Sequence, residues 1–287
     1  MISSVNSETT DTAYNYCINK AVPDGSDLYY ATIFETIKNK TINISLHALL
    51  NELNDVIAEC SDPGVARMKL QWWQEEIERL FNNEARHPVT RQMQECLKLD
   101  APLKSTFDSV IEFFNHFIFI KQTDSLETIL SLFKSTTGEI WYQSAQQLSS
   151  EKTHPLKTVK EMGALIHFIN CLQQPRTYIN ETRCIIPASY ISNADLLNLQ
   201  INISNKLTIQ KQVFSPLLID LKARLDDSYK ELKIEKNKHL QHVLIMNRLM
   251  SKTCDEILID GCNLLGAHIS LTPFRKLMIA SWTHYFS

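Results

Sequence analysis

The 287-residue chain predicts an all-α fold, and three features carry that expectation. Apolar residues recur at helical spacing in segment after segment. No stretch alternates with period two for more than a few residues. The 6 Gly and 9 Pro are too few for a protein built of many short strands and turns. No internal repeat or low-complexity segment divides the chain, so a single domain over 1–287 is expected, with residues 1–10 as a flexible N-terminus.

The expected elements follow in order. Residues 10–20 and 27–38 have the spacing of short amphipathic helices. Over 45–60, Leu46, Leu49, Leu50, Leu53, Ile57 and Cys60 fall on one helical face. "SDPG" breaks that helix, and Pro63 suits the first turn of the next, which runs to about 82 with Trp72, Trp73, Ile77, Leu80 and Phe81 on a wide stripe. "RHP" at 86–88 reads as a turn, followed by a helix to about 98. Helices are expected over 105–121 and 125–148, then a polar loop, "SSEKTHPLK". Residues 157–173 are apolar nearly all round, which places that helix at a centre. An irregular part from 174 to about 210 precedes helices near 211–230, 238–264 and 273–285.

Composition excludes several functions. Net charge is −3 and no basic block stands out, so a nucleic-acid partner has no electrostatic footprint. The 7 Cys are scattered without a C-x-x-C, which signals neither a zinc site nor a disulfide framework. The first 20 residues contain acids and lack an apolar core, unlike a secretory signal or an Arg-rich transit peptide. "FFNHFIFI" and "GALIHFI" are too short to span a bilayer, so no transmembrane segment is expected and the location expected is cytoplasmic. There is no G-x-S-x-G, P-loop, H-E-x-x-H or dinucleotide Gly motif.

Two polar features remain. In "ELNDVIAEC", Glu52, Asp55 and Glu59 cluster roughly 130° from the centre of the apolar face at 100° per residue. That is the geometry of a solvated acidic face and equally of half a Mg²⁺ site, which takes one or two carboxylates plus substrate phosphates. On the apolar helix 157–173, Gly163, His167, Asn170 and Gln174 form a narrow polar stripe. Buried polar groups find partners or line a cavity, so the stripe is either a satisfied core cluster or a pocket wall. Pro175 disfavours helix at Gln174.

The order of the pieces resembles the squalene/phytoene synthases from about residue 14 to 283. "DLYYATIF", "LHALLNELNDVIAEC", "RMKLQWWQEEI" and "HPV" are similar to the first half of such proteins. "STTGEIWYQSAQ", "GALIHFINCL", "TRCIIPASYI" and "LTPFRKLMIASW" are similar to the second. "LQWW" followed by "HPV", with "LNEL" for the usual Cys-Arg pair, most resembles the branch that includes a mitochondrial complex I assembly factor and its bacterial relatives.

The resemblance implies a helical bundle of the isoprenoid-synthase type with a central cavity, in which two Asp-x-x-x-Asp motifs hold Mg²⁺ and the metal holds prenyl diphosphates for head-to-head joining. The first motif falls on Asp55 and Glu59, the implied catalytic and metal residues. A phosphate-contacting Arg is replaced by Glu52, and a phosphate-binding His and Ser fall on Asp24 and Asp27. The second motif falls on Gln174 and Tyr178, so both acids are lost. Gln is a poor Mg²⁺ ligand, and Tyr is none at neutral pH. The Gln-x-x-Asn before it stands as His167 and Asn170, and the Arg after it is Arg183. His167, Asn170, Gln174, Tyr178 and Arg183 are thus the implied substrate-binding set.

By this resemblance the expectation is lost or reduced synthase activity. A binding or membrane-complex-assembly role is expected instead, with an isoprenoid or similar lipid in the cavity, a membrane protein complex as partner and a position peripheral to a membrane. The alternative is an active Mg²⁺-dependent prenyltransferase using Asp55, Glu59 and Glu181.

Overall fold

The structure is a computed structural model that describes residues 2–60, 62–148, 156–180, 183–200, 206–234 and 240–286. In chain order its helices are α1 (Ile2–Ala21), α2 (Asp27–Ala31), α3 (Ile37–Glu59), α4 (Pro63–Phe81), α5 (Pro88–Cys96), α6 (Ala101–Phe117), α7 (Leu126–Lys134), α8 (Thr137–Leu148), α9 (Leu156–Leu172), α10 (Pro175–Tyr178), α11 (Asn193–Gln200), α12 (Lys206–Ile234), α13 (Gln241–Ile259) and α14 (Pro273–Phe286), with one 3-10 turn at Ala188–Tyr190. No strand occurs among the described residues; one isolated antiparallel bridge joins Ile179 and Cys184. The chain divides into two compact units, residues 1–119 with 135–154, and residues 120–134 with 155–287.

In the first unit α3 is the hub, packed against α1, α4, α5, α6 and α8. Ile44, Leu46, Leu49 and Leu53 of α3 are buried, as are Leu70, Ile77 and Leu80 of α4 and Phe107 of α6. Three neighbouring helices start by the same local chemistry. Asp62, His87 and Asp100 each accept a backbone N–H with the side chain, and Pro63, Pro88 and Pro102 occupy the first turn, where no N–H is needed. Asp100 therefore starts α6 four residues ahead of the expected 105.

Other boundaries also differ from expectation. α1 begins at Ile2 rather than near 10. The expected helix 27–38 stops at Ala31, where the Thr32 hydroxyl bonds back to the Leu28 carbonyl, and the Thr36 side chain then caps α3 at Ile37 instead of 45. The expected helix 125–148 is two helices, α7 and α8, broken at Ser135 and Thr136, polar residues that favour caps over helix interiors.

In the second unit α9 is the hub, touched by α7, α10, α12 and α13. Val159, Met162, Ala164, Leu165, Phe168, Ile169 and Leu172 of α9 are fully buried, which is why the sequence is apolar on nearly every side. α12 is longer than the expected 211–230 and carries Pro216 inside it. α13 ends at Ile259, short of 264, because Gly261 and Cys262 take positive φ of 78° and 64° and cannot continue a helix. The stretch 174–210, expected to be irregular, contains α10, the 3-10 turn and α11. Most of the "SSEKTHPLK" loop lies outside the described residues, as does Glu181.

Candidate functional site

The acidic face of α3 lies under α1. Lys20, in the last turn of α1, places Nζ 2.5 Å from Asp55 Oδ2 and 3.1 Å from Glu52 Oε1. Asn51 Nδ2 donates to the Lys20 carbonyl at 2.9 Å and ties the end of α1 to α3. Tyr16, one turn earlier, donates its hydroxyl to Glu52 Oε1 at 2.6 Å. Burial, then the hydrogen bond to Glu52, pushes the Tyr16 pKa up to about 12. Burial opposes the charge on Lys20, but hydrogen bonds to Asp55 and Glu52 outweigh it and raise the ammonium pKa. Glu59 is exposed on the last residue of α3. Asp24 is exposed in the turn after α1, and Asp27 begins α2.

As placed, the Lys20 ammonium takes the Asp55 and Glu52 oxygens that a divalent cation would use, so a metal bound there would have to displace Lys20. Among the described residues no three His, Cys, Asp or Glu side chains converge as a metal site.

Beside this cluster stands an aromatic group that sequence reasoning missed. The His87 ring meets Tyr16, Trp73 and Trp72 edge-on at 5.2, 4.9 and 5.8 Å. Its position is fixed by Glu76, which has no exposed surface. Glu76 Oε1 accepts from the backbone N–H of Arg86 and His87 at 2.7 and 2.8 Å and from Thr90 Oγ1, while Oε2 accepts from Arg79 Nε at 2.7 Å. Burial would raise the Glu76 pKa, but the bonds from His87, Thr90, Arg79 and Arg86 prevail and lower it. Burial lowers the pKa of His87. The signal was present in "QWWQEEIERL": Glu76 interrupts the apolar stripe of Trp73, Ile77 and Leu80.

In the second unit the structure brings together His167, Tyr178 and Arg183, with Cys171 between them. Cys171 Sγ lies 3.5 Å from His167 Nε2. The Cys171 pKa is pushed to about 12 by burial, against which a hydrogen bond with Tyr178 and the charge of Arg183 act. Arg183 is held by a tight reversal: its N–H bonds Asn180 Oδ1, Asn180 N–H bonds the Arg183 carbonyl, and Ile185 N–H bonds the Tyr178 carbonyl. Burial lowers the Arg183 pKa. The Phe133 ring covers His167 edge-on at 4.6 Å.

The polar stripe does not reach Gln174. α9 ends at Leu172, and Gln174 takes φ −120° and ψ 54° because Pro175 follows it. Gln174 is exposed and lines an open pocket of about 330 Å³ with Arg176, Leu264, Gly266 and His268. Gly163 is buried, and Asn170 is half-buried on α9.

Burial holds the His167 imidazole down to about 4, so it is neutral near pH 7. Its contribution is complete above the unfolded value of about 6.5. As pH falls from there to 4, the unfolded chain takes a proton that the folded one refuses, and stability drops by up to about 3 kcal/mol. The His167 ring resonance is expected to titrate near 4, and His167→Asn should flatten stability between pH 6.5 and 4, both measurable by NMR and thermal melts.

The chain matches the squalene/phytoene synthase family over residues 24–275. No curated protein matches it in sequence. Among solved structures it is similar to squalene synthase HpnC from Alicyclobacillus acidocaldarius, at 14% identity and a TM-score of 0.66 over 88% of this chain and 96% of that one. A dehydrosqualene synthase solved in complex with ligand superposes at 10% identity and a TM-score of 0.76, covering 96% of both chains. YisP from Bacillus subtilis subsp. subtilis strain 168 superposes at 14% identity and a TM-score of 0.56, over 96% of this chain and 97% of that one.

Proposed function

The chain belongs to the squalene/phytoene synthase family and has its all-α isoprenoid-synthase fold, and from that premise we propose that it is a binding member of the family whose head-to-head synthase activity is lost or greatly reduced. The observation that carries this reading is Lys20, whose ammonium is bonded to Asp55 and Glu52 at the first motif. The replacement of both second-motif acids by Gln174 and Tyr178 supports it independently. Glu52 stands where the resemblance puts a diphosphate-contacting Arg, and it is bonded to Lys20 and Tyr16, so that contact to a diphosphate is absent.

What remains is recognition of a prenyl chain. Each buried CH₂ contributes roughly 0.8 kcal/mol, so a long isoprenoid needs no metal cage to be held. The role is then that of a lipid-dependent partner of a membrane protein complex, by analogy with the assembly-factor branch of the family. No described helix is long and apolar enough to cross a membrane, so such a partner would be met at a surface.

The test is incubation of the pure chain with farnesyl and geranylgeranyl diphosphate and Mg²⁺, measuring pyrophosphate and extracted product. The expected result is no release above a protein-free control, with saturable binding of farnesol or geranylgeraniol that EDTA leaves unchanged. Mg²⁺-dependent squalene- or phytoene-type product, abolished by Asp55→Ala, would establish the active-enzyme alternative instead.

A further inference from the structure

The open pocket of the second unit is walled by two segments that leave regular helix. Pro175 ends α9 and turns Gln174 outward. Gly261 and Cys262, at positive φ, end α13 and begin the loop that carries Leu264 to His268. Two bonds set that loop in place. Gln173 Nε2 donates to the Ile269 carbonyl at 2.8 Å, and the Leu265 N–H donates to Gln210 Oε1 at 2.8 Å. Pro175 and Leu264 give the pocket an apolar side. Gln174, Arg176 and His268, all exposed, give it a polar one. None of the lining residues is Asp or Glu. Among the described residues no carboxylate pairs with Arg176. Its Nη2 reaches the Leu265 carbonyl at 3.5 Å, the outer limit of a hydrogen bond, and that contact engages one of five N–H donors.

We infer that this pocket binds a small molecule by an oxyanion group, a carboxylate or a phosphate, without a metal. The planar guanidinium of Arg176 is always charged and presents the fork that such groups accept in two parallel bonds. The Gln174 amide and the His268 ring add N–H donors from either wall. The sign of the local charge agrees. By the resemblance, segment 174–178 would carry two acids that hold a cation, whereas here it carries Arg176 and no acid. His167, Tyr178 and Arg183 do not line this pocket, so it is separate from the cluster around Cys171. About 330 Å³ is at the small end of the roughly 300–1,000 Å³ of small-molecule pockets, which suits a compact ligand with a short apolar part against Pro175 and Leu264. The inference is independent of the proposed loss of synthase activity, since it needs neither a prenyl chain nor Mg²⁺.

The test is ligand-observed NMR on the full chain in EDTA, in a chloride background of matched ionic strength. Hexanoate is followed by proton saturation transfer and inorganic phosphate by its phosphorus line width. Saturable binding of at least one probe is expected, and the tighter of the two names the group. That binding should weaken on the order of ten-fold or more in Arg176→Ala, which removes the charged fork. It should weaken likewise in Gln174→Glu, which keeps the size of the side chain and puts a carboxylate in the lining. Both side chains are exposed, so the melting temperature should stay as in the wild type, and Gln174→Glu serves alone if Arg176→Ala does not fold. Neither probe binding, binding that both variants leave unchanged, or binding that appears only when Mg²⁺ replaces EDTA would overturn the proposal.

Discussion

Glu76→Ala is expected to cost about 3–5 kcal/mol, lowering the melting temperature by roughly 6–10 °C in a chain of this size. The carboxylate is fully buried and accepts four hydrogen bonds, from Arg86, His87, Thr90 and Arg79. Removing it leaves two backbone N–H groups, a hydroxyl and a guanidinium without their acceptor at once, and each orphaned buried donor costs about 1–3 kcal/mol. Glu76→Gln keeps one acceptor oxygen but faces Arg79 with a donor, so it should cost about half as much. The pH dependence has a definite sign. The folded pKa is lowered, so the stabilisation is present above the unfolded value near 4.5 and is lost as pH falls through the folded pKa. Glu76→Gln should remove that part of the acid loss. Chemical denaturation at pH 7 and at pH 4 measures both. A loss under 1 kcal/mol for Glu76→Ala would mean that the His87 turn does not depend on this carboxylate.

The second large effect is expected from Lys20→Glu. It replaces two attractions, to Asp55 and Glu52, by two repulsions. With Asp55 43% exposed the cost is about 2–4 kcal/mol at low salt, shrinking as salt screens it. The same change leaves three carboxylates in place of an ion pair. Millimolar Mn²⁺ is therefore expected to raise the melting temperature of Lys20→Glu and not that of the wild type, since a ligand bound only by the folded state stabilises it. Wild-type stability from Lys20 is fully present below the unfolded value near 10.5. It is lost as pH rises through the raised folded pKa, so a loss of stability at alkaline pH that Lys20→Met abolishes is the accompanying sign. If Mn²⁺ stabilises both proteins alike, Lys20 is not what excludes the metal.

These two residues also mark what the sequence could convey. The registers of α3, α4 and α9 were legible because each carries a continuous apolar face that must be buried. The acidic face of α3 was legible as a feature, but its meaning was not. Lys20 lies 35 residues from Asp55, and nothing local pairs them. Glu76 was visible as a carboxylate inside an apolar stripe, a signal that spacing alone carried. The break between α7 and α8 was hidden because Thr136 and Thr137 are fully buried, so the apolar pattern on either side runs on as if unbroken. At Gln174, Pro175 marked the end of α9 but not the outward turn that takes Gln174 off the polar stripe and leaves His167, Cys171, Tyr178 and Arg183 together.

The measurement that bears most directly on the central claim is a Mn²⁺ titration of the wild-type chain followed by electron paramagnetic resonance. With Lys20 bonded to Asp55 and Glu52, the free-ion signal should rise as in a protein-free blank, with and without geranylgeranyl diphosphate present. Saturable depletion of that signal by the wild type, abolished in Asp55→Ala, would contradict the account and restore a working metal centre to the first motif.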